Sequence, residues 1–101
     1  MEYLKVFWNH IFEDEPVLFY FEITEKRYET RRVEIFLDGS NGYASDKISS
    51  GKTEISYVKF DSVRVISESS ECDAEYISQE EFEKLWNKSI HYHIHRNPQI
   101  V

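Results

Sequence analysis

The stretch "VLFYFEITEKRYETRRVEIFL", residues 17–37, decides the fold. Residues 17–23 are almost all β-branched, aromatic or aliphatic, the composition of a pleated, buried strand. Side chains alternate along a strand, so Val17, Phe19, Phe21 and Ile23 share one face and Leu18, Tyr20 and Glu22 the other. Both faces are largely apolar, which predicts a central strand. "TEKR" then turns the chain, and "YETRRVEIFL" follows as a long strand with Val33, Ile35 and Leu37 on one face. Arg27, Arg31 and Arg32 sit on this hairpin among Glu22, Glu25, Glu29 and Glu34. Cross-strand ion pairs are the expected use of these charges; an anion site is the alternative.

Working outward, Tyr3 to His10 also alternates: Leu4, Val6 and Trp8 point one way, Lys5 and Asn9 the other, and Phe7 departs from the pattern on the polar side. "FEDEP", residues 12–16, makes a loop between this strand and the next. "DGSNG", residues 38–42, holds two turn dipeptides, Asp38-Gly39 and Asn41-Gly42, either of which can close a hairpin into the short strand begun by "YAS". Residues 46–53 are polar and read as a loop. "EISYVKF", residues 54–60, has strand composition, and "AEYI", residues 74–77, reads as a further short strand. Residues 61–71 fit two descriptions: Val63 and Val65 alternate as in a strand, while Asp61 could cap a short helix.

The helix signal lies in "ISQEEFEKLW", residues 77–86. Ser78 and Glu81 have capping-box spacing, and Ile77 and Phe82 have the spacing of a hydrophobic staple. Phe82, Leu85, Trp86 and Ile90 recur at helical spacing, so one apolar stripe from about Gln79 to Ile90 is expected to dock on the sheet. The predicted fold is α+β: four or five mainly antiparallel strands, the first three a meander, and one helix on one face, with residues 61–68 open to either a short helix or a strand. With 101 residues the chain is the size of a single domain, 1–101, with residues 91–101 open to being an extended or mobile tail. Phe7, Tyr20, Phe36 and Tyr43 are expected on the second face. There they form an aromatic patch open to a partner, unless residues 46–60 or the short helix cover it.

Composition narrows the function classes. The formal net charge is −7, which disfavours binding to a phosphate backbone and favours a basic protein partner. The single cysteine, Cys72, allows no disulfide within the chain and suits a reducing cytoplasm. No apolar run approaches a membrane span, and the opening residues lack the basic start of a signal peptide. No G-x-S-x-G or H-E-x-x-H motif is present, and "GKT" at 51–53 lacks the upstream glycine of a phosphate loop, because position 46 is Asp46. No enzyme activity and no cofactor are therefore expected.

Two constellations still bear on chemistry. "HYHIHRN", residues 91–97, places His91, His93 and His95 at alternate positions. In an extended chain all three would face one metal ion; in a helix only His91 and His95 would share a face. Ile90, Tyr92 and Ile94 explain the same spacing without a metal. His10 with Glu13, Asp14 and Glu15 has the composition of an acid–base cluster, as a hydrolase or nuclease would use; a histidine at a strand end beside a solvated acidic loop is the simpler reading.

Several segments together resemble a small bacterial domain family of unknown function. The pattern is Y-x-K-V-x-W-x-H at Tyr3–His10, D-E-P-V within Glu13–Val17, R-Y-E-x-R-x-V-E-I-F at Arg27–Phe36 and D-G-x-x-G-Y-A at Asp38–Ala44, with I-S-x-E-E-F at 77–82. Some members of that family look similar in setting to immunity proteins of polymorphic or contact-dependent toxins. The resemblance implies a short helix near Asp61–Glu68 and assigns no catalytic residue. The resulting expectation is a cytoplasmic immunity protein that occludes a basic toxin domain, with His10, Glu13, Asp14, Glu15 and Tyr43 as the contact residues.

Overall fold

The computed structural model describes residues 1–60, 66 and 70–95 (of 92–95, the backbone only). Five strands form one antiparallel sheet: β1 (Glu2–Trp8), β2 (Pro16–Ile23), β3 (Glu29–Phe36), β4 (Asn41–Ser45) and β5 (Cys72–Tyr76). The spatial order is β4-β3-β2-β1-β5. The first four strands are a meander, and β5 returns to the free edge of β1. A helix, α1 (Gln79–His95), follows β5. No helix among the described residues is long and apolar enough to cross a membrane. The expected α+β architecture is what the chain adopts.

Asp38-Gly39 is the dipeptide that closes the β3–β4 hairpin. Gly39 takes φ 84°, and the Asp38 carboxylate accepts hydrogen bonds from the Ser40 amide (2.9 Å) and hydroxyl (2.6 Å). Asn41 and Gly42 lie inside β4 instead. A bulge between Glu22 and Ile23 in the β2–β3 register pairs Ile23 with Glu29 while Glu22 pairs with Arg31. The extra residue, Thr30, shifts Glu29 onto the face that carries Arg32.

The helix begins as its sequence requires. The Ser78 hydroxyl accepts from the Glu81 amide at 3.1 Å, and Ile77 joins the cluster around Phe82. Phe82, Leu85, Trp86 and Ile90 then pack on Tyr3, Tyr20, Val33 and Tyr43. Ser89, also on the stripe, is buried and donates to Asn41 Oδ1 at 3.1 Å. The opposite face buries Leu4, Val6, Phe21 and Ile23, with Phe60, Ile66 and Cys72 against them.

The expected open aromatic patch does not form. The register pairs Tyr20 with Val33 and Val33 with Tyr43, so these tyrosines share the face on which the helix docks. Phe7 pairs with Leu18 on that same side, and Phe36 alone lines a cleft beside Glu34. Residues 53–60 cover part of the other face. They join no ladder, although 54–60 has strand composition, because single tethers hold them instead. The Ser56 amide donates to the Glu29 carboxylate, the Phe60 amide to the Arg27 carbonyl at 2.6 Å, and the Phe60 ring meets Phe21 edge-on at 4.6 Å. The short helix expected over Asp61–Glu68 lies outside the described residues apart from Ile66.

Neighbouring arginines of β3 face opposite ways, and each organises one layer. On the helix side, Arg31 makes a two-pronged contact with Glu22 (2.8 and 2.6 Å), reaches Glu83 of α1 and lies over the rings of Phe82 (4.9 Å) and Trp86 (5.1 Å). On the other side, Arg32 pairs with Glu29 (2.8 Å) and Glu34 (3.0 Å) over the Phe21 ring. Of the expected cross-strand pairs Arg31–Glu22 forms, while Arg32 pairs along its own strand and Arg27 reaches Glu2 of β1.

Burial pushes the Glu22 carboxyl up, but hydrogen bonds from Arg31, Thr30 (2.7 Å) and Tyr3 (3.0 Å) outweigh it and hold the group at about 2, against an ordinary 4.5. A carboxyl lowered by folding contributes stability that is present above 4.5 and lost as pH falls toward 2. The full shift corresponds to roughly 3 kcal/mol. Urea unfolding at pH 7 and pH 3 should show the wild type losing about 2 kcal/mol more across that interval than Glu22→Gln. Equal losses would mean that Glu22 is not the linked group.

Gly42 marks a close approach. A Cβ there would stand 2.1 Å from Thr53 Oγ1, and Thr53 is itself buried with its hydroxyl donating to Glu34 Oε1 at 3.0 Å. Gly42→Ala should displace residues 50–53 and cost about 1–3 kcal/mol. Paired with Thr53→Ala, which removes the clashing oxygen, it should cost less than the sum of the single changes in thermal unfolding.

Candidate functional site

At one end of the sheet the β1–β2 loop and the β3–β4 turn stand side by side. His10 builds the first. Its ring sits edge-on to Trp8 (4.2 Å between centroids) and stacks on Phe12 (5.3 Å). Nε2 donates to the Pro16 carbonyl at 2.8 Å, and Nδ1 accepts from the Phe12 amide at 2.9 Å. A carbonyl can only accept and an amide can only donate, so the ring is the neutral Nε2–H tautomer. Both nitrogens are used by backbone. His10 is thus a brace across the loop, and it offers no free nitrogen to a substrate proton.

The braced loop projects Glu13, Asp14 and Glu15, all exposed. None of the three forms an ion pair among the described residues, whereas Arg27, Arg31 and Arg32 are all paired elsewhere, with Glu2, Glu22, Glu83, Glu29 and Glu34. The same loop exposes Ile11 (87%) and Phe12 (58%). Across from it, the β3–β4 turn presents Leu37, 52% exposed, and Asp38. Hydrogen bonds from the Ser40 hydroxyl and amide hold the Asp38 carboxyl below its usual range, so it is charged at neutral pH. Ile11, Glu13, Leu37 and Asp38 line one groove. Around the corner an open cleft of about 600 Å³ has Glu13, Asp14 and Glu15 on one wall and Glu34, Lys52 and Thr53 on the other.

The structure brings His10, Glu13, Asp14 and Glu15 together at this end. It places Tyr43 apart, on the helix-covered face, edge-on to Trp86 at 5.6 Å. Tyr43 is half-buried against the helix-side core and stands away from the loop's acidic surface. The sequence reading overlooked Ile11, Phe12, Leu37, Asp38 and Lys52. The signal for the first pair was present: two large apolar residues sit directly before an acidic run, where no strand alternation requires them.

A family model described as Domain of unknown function (DUF6881) matches residues 2–91. The chain belongs to the DUF6881 family. The match takes in all five strands, both turns of the acidic end and α1 as far as His91. No curated protein and no solved structure matches the chain.

The histidine-rich stretch lies mostly beyond the DUF6881 match. Helix α1 runs through His95, so residues 91–95 are helical and not an extended tail, and positions 91 and 95 share a helical face while 93 does not. The side chains of His93 and His95 lie outside the described residues. Among the described residues, no group of three His, Cys, Asp or Glu side chains could hold a metal ion.

Proposed function

We propose that this DUF6881 domain is a binding protein that neutralises a basic bacterial toxin domain by occluding it, as an immunity protein does in the cytoplasm. One observation carries the reading: among the described residues the carboxylates of Glu13, Asp14 and Glu15 form no ion pair at their end of the sheet, while Arg27, Arg31 and Arg32 are used inside the fold. An acidic field concentrated at one end speeds and orients encounter with a basic protein. The net charge of −7 acts in the same sense at longer range. The rigid five-stranded sheet supplies a fixed platform for the loop, which lowers the ordering cost of binding. The motif resemblance to immunity-like members of the family supports the same role.

The test is co-expression with the product of the neighbouring upstream gene in the native genome. A complex with Kd near nanomolar that restores growth is the expected result. No complex and no toxicity would exclude the role.

A further inference from the structure

We infer that the β1–β2 loop and the β3–β4 turn form one docking surface, with Ile11, Phe12 and Leu37 as anchors and Glu13 and Asp38 as its charged border, and that its partner is a basic protein surface carrying an apolar side chain between its cations. The partner's class rests on the proposed binding role.

The large apolar side chains Ile11, Phe12 and Leu37 at two loop tips belong to neither core cluster. Ile11, Phe12 and Leu37 are exposed by 87, 58 and 52%. Chance exposure scatters such residues, but here Ile11 and Leu37 line one groove together with Glu13 and Asp38. An apolar centre within a polar border is the arrangement of an interface hot spot. Both halves are also held in place. His10 bonds the Phe12 amide and the Pro16 carbonyl, and Asp38 bonds Ser40 twice, so docking orders little new backbone.

Charge selects the occupant. A second copy of this chain would bring the same carboxylates face to face. Nucleic acid and an anionic bilayer are repelled for the same reason. A basic protein surface with a protruding leucine- or phenylalanine-like side chain satisfies both the groove and its border.

The probes are two peptides, Lys-Lys-Leu-Lys-Lys and Lys-Lys-Ser-Lys-Lys, titrated into the full chain labelled with 15N. The leucine peptide should shift the amides of residues 11–15 and 37–38 and bind at least about threefold more tightly than the serine peptide. Ile11→Ser with Leu37→Ser should abolish that difference without changing the melting temperature, because both side chains are exposed. Shifts centred elsewhere, or equal binding of the two peptides, would overturn the inference. So would concentration-dependent shifts of these amides without peptide, which assign the surface to a second copy, or shifts with phosphatidylserine vesicles, which assign it to a membrane. If the double variant neutralises a toxin as well as the wild type, the surface is misplaced while the proposed function stands. If no toxin is neutralised but the leucine peptide binds at residues 11–15 and 37–38, the function fails and the surface stands.

Discussion

Trp86→Ala is expected to lower the unfolding free energy by about 3–5 kcal/mol. Trp86 is 8% exposed and joins helix to sheet in three directions: stacked with Phe82 at 6.4 Å, edge-on to Tyr43 at 5.6 Å and under the Arg31 guanidinium at 5.1 Å. Removing the indole opens a cavity between the layers. It also takes away one of the two rings that Arg31 covers while pairing with Glu22 and Glu83. A domain of this size has roughly 5–10 kcal/mol in total, so the variant should be largely unfolded at modest denaturant concentrations. Trp86→Phe keeps most of the packed volume and should cost less than about 1.5 kcal/mol. Urea titration followed by circular dichroism measures both. A loss under about 1 kcal/mol for Trp86→Ala would mean that the helix is held chiefly by its polar contacts.

The second large effect concerns the partner. Replacing Glu13, Asp14 and Glu15 together by lysine should weaken the proposed complex with a basic toxin domain at least about a hundredfold. The three side chains are exposed and form no ion pair among the described residues, so the fold should survive the change. Much of the loss should appear in the association rate, and the salt dependence of that rate should flatten, because exposed charges act over a distance that salt screens. Unchanged affinity and salt dependence would place the interface elsewhere on the molecule.

Much of the fold can be read from the chain because its signals are local. Alternation marks β1 to β3, Ser78 and Glu81 mark the helix start, and the hairpins fix the order of the first four strands. Which face the helix covers could not be read so directly. That depends on the cross-strand register, in which Tyr20 meets Val33 and Val33 meets Tyr43, and register shifts at Pro16/Leu18 and Glu22/Ile23 disturb it. The partner of β5 is a non-local choice as well: Cys72–Tyr76 pairs with β1, at the far end of the sequence. The segment 54–60 has strand composition, but anchoring by Phe60, Ser56 and Thr53 holds it over a sheet face and out of the ladder.

The acidic loop was legible as composition. Its neighbours were not, because Leu37 and Asp38 come beside Ile11 and Glu13 only when two hairpins end side by side. Tyr43 shows the converse effect of alternation. It lies close in sequence to the turn at Asp38, yet strand alternation carries it to the opposite layer against Trp86.

The most direct measurement of the central claim is growth rescue with three versions of this protein expressed beside the product of the neighbouring upstream gene, the proposed toxin: wild type, the triple lysine variant at 13–15, and a control with lysine at the exposed Glu80 of α1. All three should accumulate as folded protein. The account predicts that the wild type and the Glu80→Lys control restore growth and that the triple variant does not. Equal rescue by all three would contradict it, because occlusion would not then run through the acidic end of the sheet.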